Sequence, residues 1–390
     1  MLERILKSTV LSIVLAAGGM ASPAMAQTFY EAQGMEIYGQ PGTIIHSEQM
    51  PGSPPGSVAY RALYRSVGLR GEPIVVSGVI VVPNGRAAAG GRPIVAWAHG
   101  TTGIARKCAP SLRPSVFQKI HGLQQMLARG YVVTATDYPG LGTAGPHPYL
   151  VGLSEGRAVL DSVRAARALK AAGASNTYGL WGHSQGGHAV LFAGELARSY
   201  APELRLVGVA AAAPATELGK LLKAELGGIT GKILGAYALR SWSEVFGISL
   251  AGVVLERSML VFDRVSDFCN ETYRQDFSLL FAEQPLEREG FLAIEIEATE
   301  PWSRLMIENT PGRAAPGAPV FLAQGTNDPI VLPRVTANFM QGLCSRGAAV
   351  SFVSIPGGDH DASAEYGARP AVSWMASRFA RQPAPSDCGR

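Results

Sequence analysis

The sequence predicts an α/β fold: a mostly parallel central sheet with helices on both faces and an inserted helical cap. Three observations predict it. Short apolar runs bounded by turn residues recur along the chain, as fully buried parallel strands require. Helical segments alternate with those runs, the pattern of a sheet covered on both faces. The alternation stops between about Thr216 and Arg304 and resumes at Ala318, so an insertion divides the sheet in sequence.

The N-terminus reads as a signal peptide, residues 1–26. Arg4 and Lys7 precede the apolar run Val10 to Ala17, then come Gly18-Gly19 and the small-x-small site Ala24-Met25-Ala26. Cleavage is expected near Ala26/Gln27, giving an exported protein, periplasmic or secreted. The run is too short for a stable bilayer anchor, and no later stretch reaches about 18 uninterrupted apolar residues.

The first part of the core is expected over residues 27–215. It begins with a Pro/Gly-rich entry, "YGQPGTIIHSEQMPGSPPGS", which reads as an arm over the body. "AYRALYRSV" (Ala59 to Val67) and "PIVVSGVIVVP" (Pro73 to Pro83) read as paired antiparallel strands. "PIVAWAHG" (Pro93 to Gly100), "YVVTATD" (Tyr131 to Asp137) and "TYGLWGH" (Thr177 to His183) read as buried parallel strands. Val159, Val163, Ala166 and Leu169 recur at helical spacing, with Ser154 as the expected N-cap. "LRLVGVAAAA" closes this part as a further strand.

Residues 216–305 read as the helical cap, opening on an apolar, Gly-punctuated stretch and ending in a Glu-rich one. The core resumes over 306–390 with strands "APVFLAQG" and "VSFVSIP" and a last helix near "RPAVSWMASRFA". The 390 residues, 47% hydrophobic, suffice for a large core. The net charge of +4 forms no basic block, so a nucleic-acid partner has no electrostatic footprint here. Cys108, Cys269, Cys344 and Cys388 show neither CxxC spacing nor adjacent histidines, which argues against a zinc site. In an oxidising compartment the even count suggests two disulfides, with three connectivities open.

Gly182-His183-Ser184-Gln185-Gly186 carries the chemistry. It matches G-x-S-x-G with an apolar strand before it and a helical pattern after it, the context of a nucleophile elbow. The glycines are needed because side chains there would collide with the neighbouring strand and helix. In this chain order an acid follows the serine and a histidine follows the acid. Only His188 and His360 follow Ser184, and His188 lies one turn into the adjoining helix. His360, in the loop "PGGDHDAS" after a strand, is the expected base, and Asp328, in "GTNDPIV" after another strand, is the expected acid. Asp359 is the reserve; Asp361 flanks the base, and Asp263, Asp267 and Asp276 lie in the cap. The backbone N–H of Gln185 is one expected oxyanion donor, and Thr101 or Thr102 in "AHGTTG" the other. Asp137, which precedes the serine, reads as a structural loop aspartate.

These stretches together resemble the secretory lipase family of α/β-hydrolases, typified by fungal lipase A and shared by exported bacterial esterases. The resemblance rests on "HGTTG", "CAPS", "TDYPGLGT", "GHSQGG", "GTNDPIV" and "GGDH", and covers about residues 55 to 380. It implies an α/β-hydrolase fold, a Ser184–Asp328–His360 triad, a helical lid over about 216–305 and carboxylic ester hydrolysis. It also implies disulfides Cys108–Cys269 and Cys344–Cys388. The fungal enzymes carry an acidic residue near the oxyanion loop where this chain has the Thr101-Thr102 pair. No metal or organic cofactor is expected. The expected partner is a small-molecule or lipid ester, with transient contact of the cap with a lipid interface. A peptidase or acyltransferase of the same fold would use the same triad, and a binding protein on the same scaffold would usually lack a triad member.

Overall fold

The computed structural model describes residues 29–31, 36–225, 228–269 and 291–389. The expected signal peptide with its cleavage site, Asp276 and part of the Glu-rich stretch lie outside the described residues.

Nine strands form one sheet in the order β1-β2-β3-β5-β4-β6-β7-β8-β9. Strands β1 (Ile44–Gln49), β2 (Ser57–Val67) and β3 (Pro73–Pro83) form an antiparallel edge. Strand β3 pairs antiparallel with β5 (Val132–Thr136). From β5 onward, β4 (Arg92–Ala98), β6 (Ala174–His183), β7 (Arg205–Ala212), β8 (Val320–Gly325) and β9 (Val350–Ile355) run parallel. The apolar runs read from the sequence are these strands. The exception is β1, inside the expected arm: none of its six residues is buried, and it pairs with β2 among flanking Pro and Gly residues.

Helices cover both faces. Alternate residues of each buried strand point to opposite layers, the period-two geometry of a strand. Ile94 and Leu180 pack with helices α2 (Gly152–Ala168) and α3 (Gln185–Tyr200), whereas Val95 and Trp181 pack with α1 (Leu123–Ala128) and α10 (Ala368–Phe379). Helix α2 starts three residues early. Its N-cap is Val151, and Asn309 Oδ1, 157 residues away, accepts the Gly152 N–H at 3.0 Å. A cap supplied from so far along the chain leaves no local mark, and Ser154, the expected N-cap, is buried inside the helix.

Between β7 and β8 the described chain is helical: α4 (Leu218–Glu225), α5 (Ile229–Phe246), α6 (Met259–Asp267) and α7 (Trp302–Glu308). Its apolar residues join the loop after β5 in a cluster of their own, in which Ile233, Tyr237 and Trp242 meet Tyr149 and Val151. Disulfides Cys108–Cys269 and Cys344–Cys388 are formed. The first ties the loop after β4 to the end of α6, where Gly103 also bridges Cys269. After β8 and β9 the chain forms α8 (Pro333–Ser345), α9 (His360–Glu365) and α10.

Strand β4 lies between β5 and β6, so the connections leave it in opposite directions. A crevice opens at such a reversal, outside the carboxyl ends of the strands. The loop after β4 and the turn after β6 border it.

Candidate active site

Ser184 stands between β6 and α3 with φ 57° and ψ −117°, a strained conformation for a side-chain-bearing residue. Its surroundings enforce it. The Ser184 N–H donates to the Ala212 carbonyl at 2.9 Å, and its own carbonyl accepts from His188 and Ala215. A Cβ on Gly182 would collide with the Gly186 carbonyl, and one on Gly186 with the carbonyl of Ala98. Only glycine fits at either position, which is the physical content of the motif.

The His360 imidazole is presented at the start of α9. Its Nε2 lies 2.8 Å from Ser184 Oγ and its Nδ1 2.9 Å from Asp328 Oδ2. Asp328, in the loop after β8, is fully buried as a side chain. Its carboxylate accepts from the N–H groups of Ile330 and Val331 at 2.8 and 2.9 Å and from Gln324 Nε2 at 3.0 Å. These three donors compensate the burial of the carboxylate. Asp359, the reserve acid, instead caps α9: its Oδ1 accepts from the Ala362 N–H at 2.9 Å. Asp361 is exposed, Asp263 pairs with Arg240, and Asp267 with Lys107 at 2.7 Å.

Gln185 is the first residue of α3, so its N–H has no intrahelical acceptor and carries the positive end of the helix dipole. Of the two threonines, Thr101 Oγ1 hydrogen-bonds the Tyr149 hydroxyl at 2.8 Å. Thr102 Oγ1 is buried without a hydrogen-bond partner among the described residues. Asp137 is buried and accepts from Ser77 and Ser111, and Tyr30 from the N-terminal segment donates to Ser111 at 2.6 Å. Burial pushes the Asp137 carboxyl above its usual range.

Three residues had no role in the sequence reading. His183 is buried, and its Nε2 lies 3.0 Å from the His360 carbonyl. Burial, then the neighbouring His360, holds its pKa well below the usual value, so the neutral ring donates from Nε2. His147 is held down to about 3, again by burial; its Nδ1 donates to the Pro139 carbonyl at 2.9 Å and its Nε2 accepts from Gln185 Nε2 at 3.1 Å. Glu155 accepts from the same Gln185 amide at 2.8 Å. The signal for Glu155 was present: it falls one turn before Val159, a carboxylate on the apolar stripe of its helix.

Ser184 and Gln185 line an open cleft. The rest of its wall is apolar apart from Tyr149, with Leu218, Leu222, Leu239, Trp242 and Ile330 among its residues. Most come from α4 and α5, between β7 and β8. Among the described residues no group of three or more His, Cys, Asp and Glu side chains could hold a metal ion. No described helix is long and apolar enough to cross a membrane.

The model of the secretory lipase family matches residues 117–387. A probable inactive lipase of Mycobacterium tuberculosis is 25% identical over 367 residues, covering 88% of this chain and 79% of the relative. Lipase A of Moesziomyces aphidis is 25% identical over 382 residues, with coverage of 87% and 76%. Among solved structures, Candida antarctica lipase A matches with a TM-score of 0.73 at 19% identity, covering 90% of this chain and 85% of that one. A rice cell wall degrading esterase from Xanthomonas oryzae in a ligand-bound form matches with a TM-score of 0.70 at 21% identity, covering 88% and 100%. At these identities the structural likeness shows a shared α/β-hydrolase fold.

Proposed function

The chain belongs to the secretory lipase family, and from that membership we propose that it is an exported serine hydrolase of carboxylic esters. The observation that carries the reading is the chain of hydrogen bonds Asp328–His360–Ser184, set at a strained turn beside an apolar cleft. His360 Nε2 takes the Ser184 proton as Oγ attacks the ester carbonyl, and Asp328 holds the imidazolium. The Gln185 N–H and a donor from the Thr101-Thr102 loop stabilise the oxyanion. As the intermediate collapses, His360 returns the proton to the departing alcohol and an acyl-enzyme remains. Water then attacks, gives a proton to His360, and the acid leaves as Ser184 Oγ regains it.

Residues 216–305 are the cap, or lid, of this reading, dividing the core into 27–215 and 306–390. The leucines and Trp242 of the cleft suit an acyl chain, so the substrate is a lipid ester or another ester with an apolar acyl group. Export is supported by the signal-like N-terminus and the two disulfides. A free amino terminus, as an aminopeptidase requires, would meet no carboxylate among the described residues lining the cleft. The Mycobacterium tuberculosis relative is described as probably inactive; in this chain the serine, histidine and aspartate stand within hydrogen-bond distance.

The test is hydrolysis of p-nitrophenyl esters from acetate to palmitate by wild type and Ser184→Ala. The reading expects activity in the wild type, lost in the variant, with an optimum beyond acetate. Full activity in Ser184→Ala contradicts it.

A further inference from the structure

Beneath the serine lies a buried polar cluster that the ester mechanism does not use. The Glu155 side chain, on the inner face of α2, is fully buried. Burying a carboxylate is costly unless donors compensate it. Here three donors converge on it. Oε1 accepts from the Leu150 N–H at 2.9 Å and from Gln185 Nε2 at 2.8 Å, and Oε2 accepts from His188 Nδ1 at 2.8 Å. His188 is also fully buried, and its Nε2 faces the Asn309 carbonyl at 2.8 Å. Both ring nitrogens are thus engaged, one by the Glu155 carboxylate and one by the Asn309 carbonyl.

The three donors belong to segments that border the reacting centre. Gln185 is the residue whose backbone N–H points from the start of α3. Leu150, held at φ 53°, lines the cleft beside Tyr149. His188 connects the first turn of α3 to Asn309, just past α7. The Gln185 amide has two protons. One goes to Glu155, and the other to His147 Nε2 at 3.1 Å. Both amide protons are thus engaged, which orients the side chain, and its Cα belongs to the same residue as the backbone N–H.

We propose that Glu155 is a positioning residue for the oxyanion donor: through the Gln185 amide it fixes the Ser184–Gln185 peptide, with His188 as its buried partner. The inference rests on the serine hydrolase reading above. It assigns this polar cluster to transition-state geometry and not to substrate affinity. An oxyanion donor acts only where charge develops, so a displaced donor lowers kcat and leaves KM nearly unchanged.

The test uses the full mature chain and two variants, Glu155→Gln and Gln185→Met. Each is assayed on p-nitrophenyl butyrate and with butylboronic acid. Ser184 Oγ adds to the trigonal boron while its proton passes to His360, so the tetrahedral adduct places an oxygen at the oxyanion site. The expected result is a kcat lower by about 10- to 100-fold, of the order of misplacing one oxyanion donor. KM stays within about threefold, and boronate affinity falls in step with kcat. Should Glu155→Gln not fold, Gln185→Met decides, because it leaves the bonds from Glu155 to Leu150 and His188 in place. Folded variants with wild-type kcat and boronate affinity, or with a loss confined to KM, overturn the inference while leaving the ester hydrolase reading intact. Wild-type protein inert to both ester and boronate overturns that reading and the inference with it.

Discussion

The neutral imidazole of His183 donates from Nε2 to the backbone carbonyl of His360 at 3.0 Å, and the two rings lie 4.7 Å apart. His183 immediately precedes Ser184, so one side chain anchors the base to the strand that presents the candidate nucleophile. Replacement by Phe keeps ring contact and removes the donor to the His360 carbonyl, a loss of about 0.5–1.5 kcal/mol. A small displacement of the base is costly to rate. His183→Phe should therefore lower kcat by about tenfold or more with KM little changed, as read by steady-state kinetics on a short-chain ester.

The turn around Ser184 admits no side chain at Gly186, where a Cβ would strike the carbonyls of Ala98 and His99. Gly186→Ala should push α3 away from β4 and move the start of the helix. The expected outcome is loss of ester hydrolysis and a thermal midpoint lowered by several degrees, on the order of 2–3 kcal/mol. Activity assays and thermal unfolding on the purified variant check it.

Acid should destabilise the fold through its buried neutral histidines. Burial lowers His99 to about 4 and His147 to about 3, from an ordinary value of 6.5, and lowers His183 strongly. Above pH 6.5 these rings are neutral in both states, and their contribution is complete. As pH falls from about 6.5 to about 4 the unfolded chain takes up protons that the fold refuses, so stability drops, by on the order of 1 kcal/mol per pH unit for each ring. Asp137, raised by burial, acts with the opposite sign. Urea unfolding at pH 7.5 and 5.0, wild type against His147→Gln, isolates one ring: the variant should be less stable at pH 7.5 yet lose less on acidification.

The two disulfides close segments with sequence separations of 161 and 44. Chain entropy alone gives about 5 and about 4 kcal/mol as their respective stabilisation of the fold. Removing the pair as Cys108→Ala/Cys269→Ala should cost more stability than Cys344→Ala/Cys388→Ala. It should also cost more activity, because the first bridge holds the loop after Gly100-Thr101-Thr102 against the inserted helices. Denaturant unfolding and ester hydrolysis of the two double variants compare them.

The apolar cleft makes chain-length preference a steric matter. Ala238 of α5 lines it. Ala238→Phe should fill part of the space and shift the optimum toward shorter p-nitrophenyl esters, with acetate hydrolysis retained within about threefold. A ratio of kcat/KM for octanoate over acetate unchanged from wild type would place the acyl group elsewhere.

Much of the core was legible because buried strands such as "PIVVSGVIVVP" and "APVFLAQG" are continuous apolar runs bounded by turn residues, which local composition encodes directly. The G-x-S-x-G turn was legible for the same local reason. Contacts that close over long sequence distances were not. Nothing near Gly152 announces that Asn309 caps its helix, and nothing near Ser184 announces that the side chain of the next residue is shared between His147 and Glu155. Strand β1 was missed because six residues, none of them buried, are a weak signal among prolines and glycines. The disulfide partners came only from the family resemblance, since four separated cysteines carry no pairing information of their own.

The central claim is that Ser184 is the nucleophile, and covalent labelling tests it most directly. The mature protein is treated with a p-nitrophenyl alkylphosphonate, and the adduct is located by intact mass and peptide mapping. One adduct per chain is expected, on Ser184, with ester hydrolysis lost in proportion to labelling and no adduct on Ser184→Ala. An adduct on another residue, or ester hydrolysis that persists in fully labelled protein, would contradict it.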